Sequence, residues 1–337
     1  MKRIILKALL GACALTVYAN VAGAAATAAP TLITEPDQGL APVYTLMQSA
    51  TSTLDMTMYE LVDTQAEDIL VQLAAKGVAV RVILDQNLES RNNQSAYDYL
   101  SQNGVNVVWA NPAYSATHEK AIVVDGQTAA VMTLNLTSRY YATSRDFAVI
   151  DHDANDVAAI ETTFNADFAN DAVTPPTGDD LVWSPTNSTA ALLSVIHSAT
   201  STLQIENEEM GNSMIVTALV NAAHRGVQVQ VTMTYNSKYV SNYDKLSAAG
   251  VLIATYDPNA SLYIHAKAIV ADYGTSSAEA FVGSENFSVA SLTRNRELGL
   301  VTQDPSVIAS LASVLQSDFR GGTLYGSGAG STQSPFL

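Results

Sequence analysis

The spacing of apolar and polar residues alternates between helix-like and strand-like periods, and the same order of these segments occurs twice along the chain. In each half a helix-like stretch precedes a strand-like apolar run, and two further helix–strand pairs follow. The predicted elements of the first half are 41–48, 54–61, a helix ending at Gly77, 78–84, 96–102 and 105–109; those of the second half are 190–197, 203–208, a helix ending at Gly226, 227–234, 243–248 and 251–256. Strands that alternate with helices predict an α/β fold with parallel or mixed sheets.

An identical hexapeptide indicates an internal repeat. Ser49–Leu54 recurs as Ser198–Leu203, each time between the first predicted helix and the first predicted strand. A six-residue identity with the same elements around it favours duplication over chance similarity of Ala-, Ser- and Thr-rich sequence.

Composition predicts where the two repeats begin and end. Residues 171–185 contain Pro175-Pro176 and have the composition of a linker. They separate a first repeat at 31–170 from a second repeat at 186–320. The tail at 321–337 is rich in Gly and Ser, so we expect it to be disordered.

The N-terminal residues predict export. Lys2 and Arg3 precede a largely apolar run, and Ala-Gly-Ala at 22–24 offers the small-x-small pattern of a signal-peptidase site. We therefore expect residues 1–24 to be a signal peptide and the mature chain to be secreted or periplasmic. A retained membrane anchor is the alternative, which Lys7 disfavours because it interrupts the apolar run.

Cys13 is the only cysteine of the chain and lies inside the predicted signal peptide. The mature protein would therefore form no disulfide. A lipoprotein cleavage site at Cys13 is a weaker interpretation, since the apolar run continues past this residue.

The net charge of −16 bears on the partners of the protein. The acidic excess is spread along the chain and no basic stripe is visible, which makes nucleic acid the less favoured partner. A local positive site is compatible with this average charge.

Both repeats carry the same polar constellation after their third helix–strand pair. In each, a histidine is followed by a lysine two residues later, an aspartate seven residues later, an asparagine and a further acid. The residues are His118, Lys120, Asp125, Asn135 and Asp146 in the first repeat, and His265, Lys267, Asp272, Asn286 and Glu297 in the second. The histidine precedes the late acid by 28 residues in the first repeat and by 32 in the second, and the four extra residues predict a longer hairpin turn near 273–276.

This constellation suits the chemistry of a phosphodiester. On a strand the histidine and lysine of each motif share a face, and two lysines supply positive charge to the nonbridging oxygens of an anionic substrate. One histidine can attack phosphorus while the other protonates the leaving oxygen. Asp146 and Glu297 could orient the imidazoles through their other ring nitrogens. Because the lysines already neutralise charge, no metal or other cofactor is predicted. The alternative is a hydrogen-bonded core histidine beside a lysine in each half.

The stretches 117–150 and 264–301 resemble the two signature motifs of the phospholipase D superfamily. The second is very close, with Gly-Ser-Glu-Asn-Phe at 283–287 and Asn-Arg-Glu-Leu-Gly at 295–299. The resemblance implies two α/β sandwich units with pseudo-twofold symmetry, one shared active site and metal-free chemistry through a phosphohistidine. It further implies that His118 is the nucleophile, that His265 is the acid, and that the motif aspartates hold their loops.

Two positions of the first repeat depart from the family pattern. Met132-Thr133 stands where the pattern has Gly-Ser, and Asp146 stands where glutamate is more usual. Because Thr133 keeps a hydroxyl donor, Thr133 and Ser284 are assigned to substrate binding. Glu60 and Glu209, at the ends of predicted strands, are further candidates to touch substrate.

The sequence therefore predicts an exported, monomeric phosphodiesterase of the phospholipase D type that acts on phospholipid at a membrane surface, by hydrolysis or by transfer to an alcohol. The alternatives are a secreted metal-independent nuclease of the same superfamily, a phosphatidyl transferase of the cardiolipin synthase type, and an inactive binding module. The acidity of the chain disfavours the nuclease, and the absence of a further long apolar segment disfavours the cardiolipin synthase type. The two complete motifs disfavour an inactive binding module.

We expect the mature protein, recovered from medium or periplasm, to begin near Ala25 in N-terminal sequencing. A Cys13→Ser variant should be processed at the same position, because a lipoprotein peptidase would require the cysteine. A membrane-bound product that keeps residues 1–21 would contradict this expectation.

Overall fold

The computed structural model describes residues 28–326. The predicted signal peptide and residues 327–337 lie outside the described part of the chain. In the first repeat the elements are β1 (Thr31–Glu35), α1 (Ala41–Gln48), β2 (Thr53–Met58), β3 (Leu61–Val62), α2 (Thr64–Ala75), β4 (Ala79–Leu84), α3 (Ser90–Gln102), β5 (Asn106–Trp109), β6 (Lys120–Val124), β7 (Thr128–Met132), β8 (Leu136–Thr137), a 3-10 turn (Ser138–Tyr140), β9 (Ser144–Asp151) and α4 (Ala154–Ala169).

The second repeat has the same order of main elements. They are β10 (Leu181–Ser184), α5 (Ser188–Ser198), β11 (Thr202–Asn207), α6 (Ser213–His224), β12 (Gln228–Thr234), a 3-10 turn (Ser237–Tyr239), α7 (Val240–Ala248), β13 (Leu252–Tyr256), β14 (Tyr263–Ile264), β15 (Lys267–Ala271), β16 (Glu279–Gly283), α8 (Val289–Thr293), β17 (Glu297–Thr302), α9 (Pro305–Gly321) and β18 (Thr323–Leu324). The predicted order of helices and strands is confirmed in both repeats.

Each repeat forms a mixed sheet. The first sheet runs β1-β9-β7-β6-β2-β4-β5, with β14 of the second repeat added beside β9. The second runs β10-β17-β16-β15-β11-β12-β13-β18. Strands β2, β4 and β5 are mutually parallel, as are β11, β12 and β13, whereas β6 and β15 are antiparallel to their neighbours. The predicted α/β fold with mixed sheets is therefore confirmed.

The two sheets pack face to face through one apolar layer. This layer takes alternate side chains from both sheets, together with one face of α4 and of α9. Helices α1–α3 cover the outer face of the first sheet, and α5–α8 cover that of the second. On β15, Ala268 and Val270 lie in the shared layer while Ile269 and Ala271 lie under the outer helices, as the strand period of two requires.

The repeated hexapeptide has a structural purpose. The carboxylate of Asp125 accepts hydrogen bonds from the backbone N–H groups of Thr51, Ser52 and Thr53 at 2.7–3.1 Å, and from two of their hydroxyls. Asp272 is bound in the same way by residues 200–202 of the second copy. Burial opposes ionisation of both carboxylates, but these hydrogen bonds outweigh it and hold the pKa of each well below its usual range.

The longer hairpin of the second repeat is also present. Three residues join β6 to β7, whereas seven join β15 to β16, which accounts for the four-residue difference in motif spacing. Both turns begin with the motif aspartate in the left-handed region, at φ of 53° for Asp125 and 51° for Asp272. The local hydrogen bonds of each carboxylate stabilise this uncommon backbone conformation.

Two predicted boundaries differ from the structure. Residues 181–184, assigned to the linker, form β10 and pair with β17. Residues 323–324, assigned to the disordered tail, form β18 and pair with β13. The tail was predicted to be disordered from its glycine content, but Gly321 is needed for close packing. A Cβ at this position would lie 2.5 Å from the hydroxyl of Tyr256. Within residues 28–326, no helix has the length and hydropathy needed to cross a bilayer.

Replacing either motif aspartate should destabilise the fold. Asp125→Asn and Asp272→Asn should each lower the free energy of unfolding by about 2 kcal/mol at pH 7, since hydrogen bonds to a charged group are lost. The lowered pKa means that this contribution is present at neutral pH and declines as the pH falls below about 4. Urea unfolding measures both effects. The exposed Asp171→Asn is the control, and equal stability of all variants would contradict the assignment.

Candidate active site

The two His-x-Lys motifs occupy equivalent places in the two sheets. His118 lies two residues before Lys120, the first residue of β6, and His265 lies two residues before Lys267, the first residue of β15. Both strands are central in their sheets. Because the sheets pack face to face, the two motifs meet at one end of the shared layer.

Each imidazole is held by a carboxylate of the other repeat. The Nδ1 atom of His118 lies 2.9 Å from Oε2 of Glu297, and Nδ1 of His265 lies 2.8 Å from Oδ1 of Asp146. Both acids are buried, and the histidine side chains are 12% and 15% exposed. In each imidazole Nδ1 is therefore engaged, and Nε2 is the nitrogen left for chemistry.

Backbone pairing across the repeats produces this exchange. Strand β14, which precedes His265, pairs in parallel with β9, which carries Asp146. The equivalent bridge joins Thr117 to Arg296, directly before the other histidine and the other acid. The backbone N–H of His118 donates to Arg296 O at 2.8 Å, and that of His265 donates to Arg145 O at 3.2 Å.

Two buried ion pairs reinforce the same interface. Arg145 of the first repeat pairs with Asp318 in α9 at 2.5 Å, and Arg296 of the second repeat pairs with Asp167 in α4 at 2.8 Å. Sequence reasoning missed these residues. A signal was present, because in both repeats an arginine directly precedes the late acid and an aspartate follows that arginine after 22 residues.

Both motif lysines are fully buried. Each ammonium donates to the backbone carbonyl oxygen of its own motif histidine. Burial and, second, repulsion from Lys267 lower the pKa of Lys120 to about 7. Burial and the charge of Lys120 lower the pKa of His118 to about 4, although Glu297 opposes this. At neutral pH His118 is therefore a neutral imidazole that can donate from Nδ1 to Glu297 and keep the Nε2 lone pair free.

Both predicted asparagines have unused polar atoms, and Asn135 lines a cavity together with His265. Oδ1 of Asn135 and Oδ1 of Asn286 are buried and have no hydrogen-bond partner among residues 28–326. Buried amides are normally hydrogen-bonded. Since the orientation of a side-chain amide is a matter of assignment, either its nitrogen or its oxygen can meet a ligand here.

Thr133 and Ser284, predicted to bind substrate, lie behind the site instead. Both are fully buried. The Thr133 hydroxyl donates to Asp146 at 2.6 Å, and the Ser284 hydroxyl accepts from the backbone N–H of Leu298 at 3.1 Å. Thr133 therefore acts on the acid that orients His265, which also explains how the shorter aspartate is held within reach.

The Gly-to-Met departure at position 132 has a steric explanation. A Cβ at Gly283 would lie 2.4 Å from Oε2 of the buried Glu285 and 2.4 Å from Cα of Gly299, its partner in β17. In the first repeat Leu134 stands where the second has Glu285, and Met132 is paired with Ala148. The pair of glycines and the buried carboxylate therefore occur together in the second repeat, and all three are replaced in the first.

Asp125 and Asp272 are not brought to the histidines. Each follows the far end of a five-residue strand that begins at the motif lysine, roughly 16 Å away at the usual rise per residue. Their carboxylates bind the hexapeptide loops described above. They belong to the framework and do not contact a group bound between the histidines.

The pseudo-symmetry is broken beside the histidines. In the second repeat Glu208 directly follows β11, with Oε2 lying 3.6 Å from Nε2 of His265 and 3.5 Å from Nζ of Lys267. In the first repeat the equivalent Tyr59 packs edge-on against His118, with ring centroids 4.6 Å apart. Burial raises the pKa of Glu208, but His265 and Lys267 outweigh it and lower it to about 2. Glu208, and neither Glu60 nor Glu209, is the strand-end acid that reaches the site.

A cavity of about 490 Å³ opens on the His265 side. Its lining combines acidic and aromatic side chains with one motif histidine and one motif asparagine: Glu35, Asn135, Tyr140, Tyr141, Asp146, Glu208, Tyr263 and His265. Across residues 28–326, no three His, Cys, Asp or Glu side chains cluster in a way that could hold a metal ion.

Comparisons with known proteins match both repeats. The sequence model of a family described as "Cardiolipin synthase, PLD-like domain" matches residues 43–168 and 192–319. No curated protein matches the chain in a sequence comparison.

Solved structures share the fold at low sequence identity. The polyphosphate kinase of Porphyromonas gingivalis superposes with a TM-score of 0.70 and 16% identity over 86% of this chain, which spans about half of that protein, 47% of its length. The phosphatidylserine synthase of Haemophilus influenzae superposes with a TM-score of 0.65 and 13% identity, covering 88% of this chain and 87% of that one. At these identities the likeness is one of fold.

If the half-sites form one site, His118→Ala and His265→Ala should each lower turnover of a phosphodiester by at least roughly a hundredfold. The double variant should be barely worse than either single one, because residues that act as a unit are strongly non-additive. Steady-state kinetics with bis(p-nitrophenyl) phosphate measure this. The exposed His197→Ala is the control, and half-activity in each single variant would mean two independent sites.

Proposed function

Since the chain belongs to the phospholipase D superfamily, we propose that it cleaves the headgroup ester bond of phospholipids through a phosphohistidine. The observation that carries the choice of substrate is the lining of the cavity beside His265, which is acidic and aromatic. A polynucleotide needs a basic groove along its backbone, whereas a zwitterionic headgroup places only one phosphate at the lysines.

In the proposed first step His118 attacks phosphorus. Its neutral state, together with the Nδ1 hydrogen bond to Glu297, leaves the Nε2 lone pair available. The N–P bond forms as the P–O bond to the headgroup breaks, and His265 transfers its proton to the leaving oxygen. Lys120 and Lys267 stabilise the negative charge on the nonbridging oxygens.

Two carboxylates support the acid role of His265. Asp146 contacts its Nδ1 and Glu208 lies near its Nε2, whereas His118 has a tyrosine in place of the second carboxylate. The broken symmetry thus supports different roles for two otherwise equivalent histidines.

In the second step water attacks the phosphohistidine, and His265, now neutral, accepts its proton. The products are phosphatidate and the regenerated enzyme. An alcohol in place of water would give a new phosphodiester, so transfer is the second candidate. The matching family, which is that of the cardiolipin synthase PLD-like domain, favours it. We further propose that the chain acts as an exported monomer at a membrane surface.

Purified protein in EDTA should release headgroup from mixed micelles of phosphatidylcholine and phosphatidylethanolamine, because the lysines supply the charge that a metal would otherwise provide. Plasmid DNA offered separately should stay intact. Added short-chain alcohol measures the partition between hydrolysis and transfer.

The His118→Ala variant is the control for contaminating activity. Nicking of the plasmid without headgroup release would replace the proposal by a nuclease. Loss of turnover on chelation, with recovery on adding a divalent metal, would overturn the metal-independent mechanism.

A further inference from the structure

Glu35 is a buried carboxylate that the mechanism above does not use. It ends β1, is 2% exposed and lines the cavity beside His265. Neither of its carboxylate oxygens has a hydrogen-bond partner among the described residues 28–326. Burial of a charged carboxylate without a hydrogen-bond partner is unfavourable. Its place on a cavity wall therefore points to a ligand that supplies the missing partner.

The equivalent position in the other repeat carries no such group. Glu35 is paired in register with Asp146, and Ser184 is paired in register with Glu297. The Ser184 hydroxyl donates to the carbonyl oxygen of Ser291 and is fully buried. The fold therefore does not require a carboxylate at this position. Glu35 is one of the residues in which the two repeats differ.

The nearest cation does not satisfy Glu35. The guanidinium of Arg145 bonds to Asp318, to Asp37 and to the backbone oxygen of Glu35, not to its carboxylate. Burial and, second, the negative charge of Asp146 raise the pKa of Glu35 to about 7. A bound cation would relieve both effects, because it would replace lost solvation and offset the charge of Asp146.

The cavity lies where the leaving group must lie. His118 attacks from one side of phosphorus, so the group protonated by His265 departs on the side that the cavity occupies. Two of the wall tyrosines are fixed through their hydroxyls: Tyr141 donates to Asp63 at 2.7 Å, and Tyr263 donates to Glu208 at 2.8 Å. Rigid aromatic walls and carboxylates together are the surroundings that organic ammonium groups prefer.

We infer that Glu35 is a specificity-determining residue that binds the ammonium group of an amine-bearing headgroup, with Tyr141 and Tyr263 as the walls of the subsite. This inference rests on the proposed function, since it assigns the leaving group of that reaction. Glu35 is one strand away from Asp146, about 4.8 Å in a sheet, and Asp146 contacts His265. Glu35 and His265 line the same cavity, so an aminoalcohol there could place its oxygen at His265 and its nitrogen at Glu35.

The test compares two soluble short-chain lipids, dihexanoyl-phosphatidylethanolamine and dihexanoyl-phosphatidylglycerol, which differ in the charge of the headgroup alcohol. The wild type should have the higher kcat/KM for the amine. In Glu35→Gln the ratio of the two kcat/KM values should fall roughly tenfold or more, as expected when a charged hydrogen bond is lost. Glu285→Gln is the matched control, because Glu285 is also buried and unpartnered but does not line the cavity. Its ratio should equal that of the wild type.

A second measurement needs no variant and no lipid turnover. Phosphoethanolamine should inhibit wild-type hydrolysis of bis(p-nitrophenyl) phosphate at least about tenfold more tightly than glycerol phosphate does. Equal inhibition, or a headgroup ratio that Glu35→Gln leaves unchanged, would overturn the ammonium subsite while the phospholipase assignment stands. Failure of the wild type to cleave either lipid would instead refute the proposed function, and the inhibition measurement would still decide the subsite.

Discussion

The exchange of carboxylates between the repeats is the constraint on which the site depends. Each motif imidazole takes its Nδ1 partner from the other half, Glu297 for His118 and Asp146 for His265. Parallel backbone pairing before each histidine and a buried arginine beside each acid hold the exchange in place. Neither repeat contains an oriented histidine by itself. The duplicated units therefore form one composite site. The contacts that hold the two repeats together are also the contacts that orient the histidines.

Within this symmetric frame, small differences separate the roles of the two halves. Burial beside two lysines keeps His118 neutral, whereas His265 faces a second carboxylate, Glu208. The open cavity and the unsatisfied Glu35 lie on the same side as Glu208. The His118 side of the site is therefore closed by aromatic packing and the His265 side is open and acidic, which agrees with the proposed roles of nucleophile and leaving-group acid. The strongly negative average charge of the chain, which disfavours polyanions, agrees with this local arrangement.

Local patterns were enough to predict the element order, the repeat and the His-x-Lys pairs, because strand and helix periods and fixed spacings are properties of short segments. The hexapeptide was recognised as a repeat marker, but its purpose depended on Asp125 and Asp272, about 70 residues away, and needed the structure. Asp146 and Glu297 were predicted to orient the imidazoles, but which acid serves which histidine could not be predicted, since the exchange follows from packing between the sheets. Glycine content suggested disorder at Gly321, where the structure uses glycine for close approach. Glu35 was missed because nothing in its local sequence marks a cavity formed by distant loops.

The exchange itself can be tested by 15N NMR of the histidine side chains, with the five histidines assigned from single alanine variants. Replacing Glu297 by glutamine should move the Nδ1 resonance of His118 and leave that of His265 in place. Replacing Asp146 by asparagine should do the reverse. This readout does not depend on the substrate or on which histidine is the nucleophile. If each replacement perturbed the histidine of its own repeat, the composite site described here would be contradicted.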